Sequence, residues 1–280
     1  MRAVDPEAQL RPADFRRLQQ IVEHASGIFV ASPSLLIQRL SRRVRELSLE
    51  SFGEYCDRVE SDSAERMQMV EHMCTHETRF FRQARQFRFL EDTLCPFWIA
   101  EADAARRART LRVWSAGCAT GEEPYSIAMV LRARLPLWQI EVVATDLSSV
   151  ALAHTREATW PVARARDIPA LHLQRFMLQG TGAKHGRMRA TEELRALVRP
   201  EPLNLIEPRY ALRGPFDAIF CRNVLMYFRD EVRARVVARV LGLLAVRGRL
   251  FLGHSEGLAA QQQGVRTVGP IVYAHAGEPA

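Results

Sequence analysis

Apolar residues recur at two different spacings along this chain of 280 residues, and the change between them divides it. Over the first ninety or so residues the spacing is helical. Phe15, Leu18, Ile21 and Val22 share one face of a helix predicted from Phe15 to about Ala25, with Asp14 as its cap and Gly27 at its end. Leu36, Leu40, Val44 and Leu47 repeat the pattern over Ser34 to Leu47, and Ser51 to Val59 with Ala64 to Cys74 complete a small bundle. A helix from Gln86 to about Ala100 follows, and the polar, alanine-rich run Glu101 to Arg109 reads as a surface connection.

From Leu111 the period changes. A strand to Ala116, a helix from Glu122 to Arg134, a strand from Ile140 to Thr145 and a helix from Ser149 to Thr159 alternate, which predicts a parallel sheet with helices on both faces. The alternation stops between Pro161 and Pro202. There Leu173 to Leu178, the turn Gly180 to Gly186, Arg187 to Thr191 and Leu197 to Arg199 read as short strands of an antiparallel insertion. Pro202 to Ile206 resumes the main pattern, followed by a strand from Pro215 to Asn223, a long helix from Asp230 to Val246, a strand from Arg249 to Gly253 and a hairpin near Val265 to Ala274. The expected class is α/β: a helical domain over 1–92, a linker over 93–110, and a doubly wound Rossmann-like domain over 111–280 carrying a β insertion at about 163–200.

Candidate chemistry concentrates where Trp114-Ser-Ala-Gly-Cys-Ala-Thr-Gly-Glu-Glu-Pro-Tyr-Ser-Ile-Ala128 runs from strand through turn into helix. Gly117 and Gly121 let main chain approach a ligand closely, and Asp146 closes the next strand with a carboxylate where a nucleoside-binding fold holds ribose. Dinucleotide sites use G-x-G-x-x-G to receive a pyrophosphate. Here the spacing is G-x-x-x-G, and Glu122 and Glu123 stand at the helix start. Two carboxylates would repel phosphate and suit a cationic ligand such as S-adenosylmethionine; equally, acidic residues simply favour a helix N-terminus. In Thr75-His-Glu-Thr-Arg-Phe-Phe-Arg82, paired phenylalanines can anchor a segment whose Thr78 and Arg82 face a ligand.

Composition narrows the remaining classes. Five cysteines without a C-x-x-C pair argue against a disulfide framework or a zinc site, so no metal is expected. No segment reads as a membrane span or signal peptide, which makes the cytoplasm the default location. The net charge of +7 is carried by arginine, Lys184 being the only lysine. Such an excess fits nucleic acid or an acidic protein face, and the missing interleaving of aromatic and basic residues disfavours nucleic acid. Arg39, Arg42, Arg43 and Arg45 line one helix face, either a solvated surface or a partner site.

With those segments in view, the chain resembles the CheR family of chemotaxis receptor methyltransferases. The resemblance covers nearly the whole chain and rests on Trp114 to Ala128, Gly214 to Phe228, Gly253-His-Ser-Glu256 and Thr78 to Arg82. It implies a class I methyltransferase domain that esterifies receptor glutamates with S-adenosylmethionine and releases S-adenosylhomocysteine. It further implies that Thr78, Arg82, Gly117, Glu122 and Asp146 hold the cofactor, that Asn204 and Leu205 border its adenine, and that Arg222 and Asn223 close the site. Arg82 and Tyr227 match positions that flank the methyl-transfer point. Position 76, commonly asparagine in the family, is His76 here and can still donate or accept one hydrogen bond. His254 and Glu256 fit a bracing role.

The implied partners are the cytoplasmic methylation helices of receptors on the arginine face, and a receptor C-terminal peptide added as a strand to the β insertion. Nothing in the sequence calls for more than a monomer. Two other functions remain in view: a methyltransferase of similar fold acting on RNA or a small molecule, and a scaffold that binds S-adenosylmethionine without turnover.

Overall fold

The computed structural model describes residues 10–258 and 264–277, which form two compact units. The first contains the chain through Thr75 together with Asn204–Pro208 and Met226–Val236. Its helices are α1 (Pro12–Ser26), α2 (Pro33–Glu46), α3 (Phe52–Ser61) and α4 (Ser63–Met73). Proline in the first turn of α1 and α2 loses no hydrogen bond, and Gly27 ends α1 at φ +77° with its N–H on the Glu23 carbonyl. Ser51 and Asp62 accept the free N–H groups that begin α3 and α4. Leu18, Val22, Leu36, Leu40, Phe52, Tyr55 and Met69 make the core. Segments from late in the sequence complete this unit: the Phe29 N–H donates to the Tyr227 carbonyl at 2.8 Å, and Asn204 Nδ2 donates to the Ala25 carbonyl at 2.8 Å.

The second unit begins with α5 (Ala84–Phe89), a π-helical turn over Leu90–Leu94 and α6 (Cys95–Asp103). Then come β1 (Thr110–Ala116), α7 (Glu122–Arg134), β2 (Gln139–Asp146), α8 (Ser149–Glu157), β3 (Thr159–Pro161), α9 (Ala170–Phe176), β4 (Met177–Gln179), β5 (Arg187–Ala190), α10 (Glu192–Arg195), β6 (Val198–Pro202) and β7 (Phe216–Cys221). The chain ends with α11 (Asp230–Gly242), β8 (Leu244–Leu252), β9 (Val265–Gly269) and β10 (Val272–His275). Seven strands form one sheet in the order β6-β2-β1-β7-β8-β10-β9. Only the β8–β10 and β10–β9 pairings are antiparallel. The central strands β1 and β7 are buried along most of their length, as a parallel strand covered on both faces must be. From β1 the chain winds outward through β2 to β6, then returns to β7 on the other side of β1. That reversal puts a topological switch point beside β1, and such points open a crevice at the carboxyl ends of the strands.

Several expectations change. Asp14 lies inside α1, buried and paired with Arg11, because Pro12 starts the helix earlier. The span 93–110 is no surface linker: α6 runs through it and buries Trp98 in the core of the second unit. The predicted helix from Gln86 is interrupted by the π-helical turn. The antiparallel insertion has three strands in the order β3-β5-β4, starts at Thr159, and excludes Leu197 to Arg199. That stretch opens β6 and pairs with β2 in the main sheet, so Pro202 ends a strand instead of starting one. The helix predicted to Val246 stops at Gly242, and β8 takes Leu244 onward.

Candidate cofactor site

Three strand ends meet at the switch point. β1 delivers Gly117 at φ +77° and Gly121 at φ +97°. A Cβ on Gly121 would stand 3.0 Å from Thr155 Oγ1 and 3.2 Å from Thr155 Cα, so the position is closed to a side chain by both conformation and space. The Gly117 and Cys118 amides donate to the Thr145 carbonyl on β2 at 2.8 and 2.9 Å, which curls the turn over the sheet edge. Asp146, at the end of β2, accepts from the Ala119 amide at 2.8 Å with one oxygen and the Ser148 amide at 2.9 Å with the other. Each carboxylate oxygen has further lone-pair capacity, so the group that ties the turn can also accept ribose hydroxyls.

Glu122 and Glu123 part company. Glu122 is buried at the start of α7 and accepts from Thr120 Oγ1 at 2.6 Å. Glu123 points to β7: Ser115 Oγ donates to it at 2.7 Å, and the Arg222 guanidinium lies 3.5 Å away. Burial pushes the Glu123 carboxyl above its ordinary value, although Arg222 and Ser115 oppose the shift. Burial likewise pushes the Arg222 guanidinium down. Arg222 sits over the Phe87 ring at 5.4 Å and donates from Nη2 to the Arg82 carbonyl. Its Nε and Nη1 are buried and have no hydrogen-bond partner.

The 76–82 segment is pinned to this region from the other side. The Phe81 amide donates to Ser126 Oγ on α7 at 2.9 Å, and Arg164 donates to the Thr78 carbonyl at 3.2 Å. Arg82 stands between two residues in left-handed conformation, Phe81 at φ +51° and Gln83 at φ +63°. Its own Nη1 donates to the Glu77 carbonyl at 2.8 Å. Strained backbone of this kind persists only where surrounding contacts hold it. His76 has a buried Nε2 without a partner.

The residues fit a nucleoside that carries an amino acid. Asp146 at a strand end suits the ribose, buried Glu122 at the start of α7 suits a cationic group, and Nη1 of buried Arg222, which has no hydrogen-bond partner, suits an anion. The second unit thus gathers Arg82, Gly117, Glu122, Asp146, Arg222 and Asn223, with His76 and Thr78 on the same segment as Arg82. Asn204, Leu205 and Tyr227 belong to the first unit. Asn204 bonds Ala25 there, Leu205 is buried, and the Tyr227 carbonyl holds Phe29.

The comparison with known proteins decides among the ligands such a site could take. Residues 76–273 match the SAM-binding domain of CheR methyltransferase, and residues 13–74 match its all-alpha domain. The chain belongs to the CheR methyltransferase family. It is 38% identical to "Chemotaxis protein methyltransferase 2" of Pseudomonas aeruginosa, over 94% of this chain and 93% of that protein. It is 37% identical to the "Chemotaxis protein methyltransferase" of Escherichia coli, over 95% of this chain and 91% of that one. This CheR chain is therefore a methyltransferase with S-adenosylmethionine as its cofactor.

Two features of the CheR site lie beyond the sequence reading. Glu123 lies 3.5 Å from Arg222 Nε, whereas the family resemblance implies only Glu122 as a cofactor ligand. Glu256 is fully buried, and one of its oxygens accepts from the Asn223 amide at 2.6 Å and the Gly253 amide at 2.8 Å. It holds Asn223 at φ +59°, and a Cβ on Gly253 would come within 2.5 Å of that carboxylate. The motif Gly253-His-Ser-Glu256 signalled a brace, but not which residue it braces.

The arginine face of α2 also divides. Arg42 is 84% exposed and pairs with Glu46. Arg45 donates to the Ser41 carbonyl, and Arg39 to Thr75 Oγ1 at 3.0 Å. Arg43 instead turns inward and makes a two-pronged bond to buried Glu65, at 3.0 and 2.6 Å. It is a structural residue and leaves the expected partner-facing set. Among the described residues no cluster suited to a metal ion occurs, and no helix is long and apolar enough to cross a membrane.

Proposed function

We propose that this chain works in the cytoplasm, methylating glutamate side chains on the methylation helices of chemotaxis receptors. The supporting observation is the convergence of Gly117, Asp146 and Arg222 at three adjacent strand ends beside the strained segment that carries Arg82. When bound, S-adenosylmethionine supplies a sulfonium methyl group. Asp146 receives the ribose hydroxyls, Glu122 the amino group, and Arg222 with Asn223 the remaining polar edge; Asn204 and Leu205 border the adenine. A glutamate carboxylate is ionised at neutral pH and needs no general base. Arg82 would orient one of its oxygens and leave the other free as the nucleophile, with Tyr227 donating a hydrogen bond; the methyl would leave the cofactor's sulfur, giving S-adenosylhomocysteine. Binding and orientation thus account for what the protein contributes. Arg39, Arg42 and Arg45 meet the acidic receptor helix through charge complementarity.

β3 and β4 are the outer strands of the three-stranded sheet, and Gly182 and Gly186 in the turn face open space. This supports addition of a receptor tail peptide as a further strand. The test is transfer of tritium from labelled S-adenosylmethionine to a receptor cytoplasmic fragment, followed by mild alkali. Radioactive methanol released by base identifies a glutamyl methyl ester. Base-stable label, or label on RNA alone, defeats the proposal; cofactor binding without any transfer points to a scaffold.

A further inference from the structure

A concave surface lies within the α/β unit, on the far side of the segment that leads into Arg82. It is an open groove of about 1250 Å3 between the 79–91 segment, the end of α7 and the 166–175 stretch that leads through α9. Compact small-molecule pockets span roughly 300–1,000 Å3, so a groove of this size and openness suits an extended chain better. Phe81, Phe87, Ile168 and Leu171 give it apolar lining, and Leu171 is 81% exposed at its edge. His172 stacks on Phe81, with ring centroids 5.4 Å apart and planes 12° from parallel, which stiffens the floor.

The charge on the lining is lopsided. Arg79, Arg88, Arg134, Arg166 and Arg175 line the groove against Glu91 and Asp167. Glu91 is already taken by Arg134 at 2.9 Å. Arg79, Arg88 and Arg166 make no ion pair among the described residues. Unpaired guanidinium groups around an exposed aliphatic side chain and a ring-stacked floor are complementary to a peptide that alternates carboxylates with leucine or phenylalanine. A polynucleotide would leave the exposed Leu171 and the apolar lining unmatched.

We propose that this groove is a docking site for an acidic, apolar-interleaved peptide segment of a partner protein. None of the groove's lining residues belongs to β3, β4 or β5, and it adjoins the cofactor site through Phe87, which lies under Arg222 at 5.4 Å. Charge would draw the segment in, and the apolar lining would hold it. Phe81 belongs to the groove and precedes Arg82, so an occupant would lie beside the segment that serves the cofactor.

The test uses the full chain and a fluorescein-labelled peptide of twelve residues alternating glutamate with leucine and phenylalanine, read by fluorescence anisotropy. The expected result is binding that weakens about tenfold or more in Arg88→Glu/Arg166→Glu, and severalfold in Leu171→Ser, as loss of charge steering and of an apolar anchor requires. S-Adenosylhomocysteine affinity should stay within about twofold in both variants, which shows that they are folded and is read apart from methyl transfer. Equal binding of an all-glutamate peptide would make the effect bulk charge and overturn the proposal. Equal binding by the double variant would place the peptide elsewhere, and tighter binding of a single-stranded oligonucleotide would make the groove a nucleic-acid surface. Either result overturns it.

Discussion

In each unit of this molecule an arginine reaches a glutamate held in the interior, and the two pairs are built differently. In the helical unit, Arg43 grips Glu65 with both prongs while the Tyr55 hydroxyl donates at 3.1 Å. Burial pushes the Glu65 carboxyl up, but Arg43 and Tyr55 outweigh it and hold the group below its ordinary value. In the α/β unit, Arg222 Nε stays 3.5 Å from Glu123, too far for a hydrogen bond, Nη1 has no hydrogen-bond partner, and the Glu123 carboxyl is pushed up. A closed pair holds a fold together. The looser, open pair leaves a buried donor without a hydrogen-bond partner, which costs stability.

The sharpest way to break this comparison is to cut both pairs. Arg43→Met should cost about 3 kcal/mol of unfolding free energy, because Glu65 is left buried with one donor. Denaturant titration measures the loss, and S-adenosylhomocysteine affinity measured on the folded fraction should hold. In the α/β unit, Arg222→Met/Glu123→Gln should weaken that affinity about ten- to hundredfold by calorimetry, while stability moves by no more than about 1 kcal/mol. If the two variants exchanged their effects, the distinction between closed and open pairs would be wrong.

The pH dependence sharpens it further. Glu65 has a folded value below its unfolded one, so the unfolded chain binds the extra proton as pH falls. Its contribution is complete above the ordinary glutamate value of 4.5 and is lost below it. Acid unfolding of Glu65→Gln should therefore be shallower below pH 4.5 than that of the parent. The smallest effect belongs to the exposed pair on the same helix. Arg42→Ala should change stability by less than about 0.5 kcal/mol, yet slow receptor methylation in a salt-dependent way.

The neighbours Arg42 and Arg43 also mark what helical spacing can and cannot disclose. Arithmetic along α2 puts both on the polar side, but the carboxylate that claims Arg43 is 22 residues away on α4. No local pattern points to it. Gly117 and Gly121 are legible as turn positions because both follow β1 directly in the turn that leads into α7. The strand β6 was harder to place, since Pro200 and Pro202 read as breakers. They are tolerated because β6 is the outer strand, with one edge free of ladder bonds. Glu256 reads as a brace, but its partner Asn223 lies 33 residues back on a different strand end, which no local pattern discloses.

The return of Asn204–Pro208 and Met226–Val236 to the helical unit bears on how the chain is made. A ribosome delivers the helices through Thr75 early, yet the strand-like contact at Phe29 and the amide cap on Ala25 wait for residues more than a hundred positions later. At about 5–20 residues per second, that interval is several seconds or more. For that time the leading helices stand without the two contacts that these later segments supply.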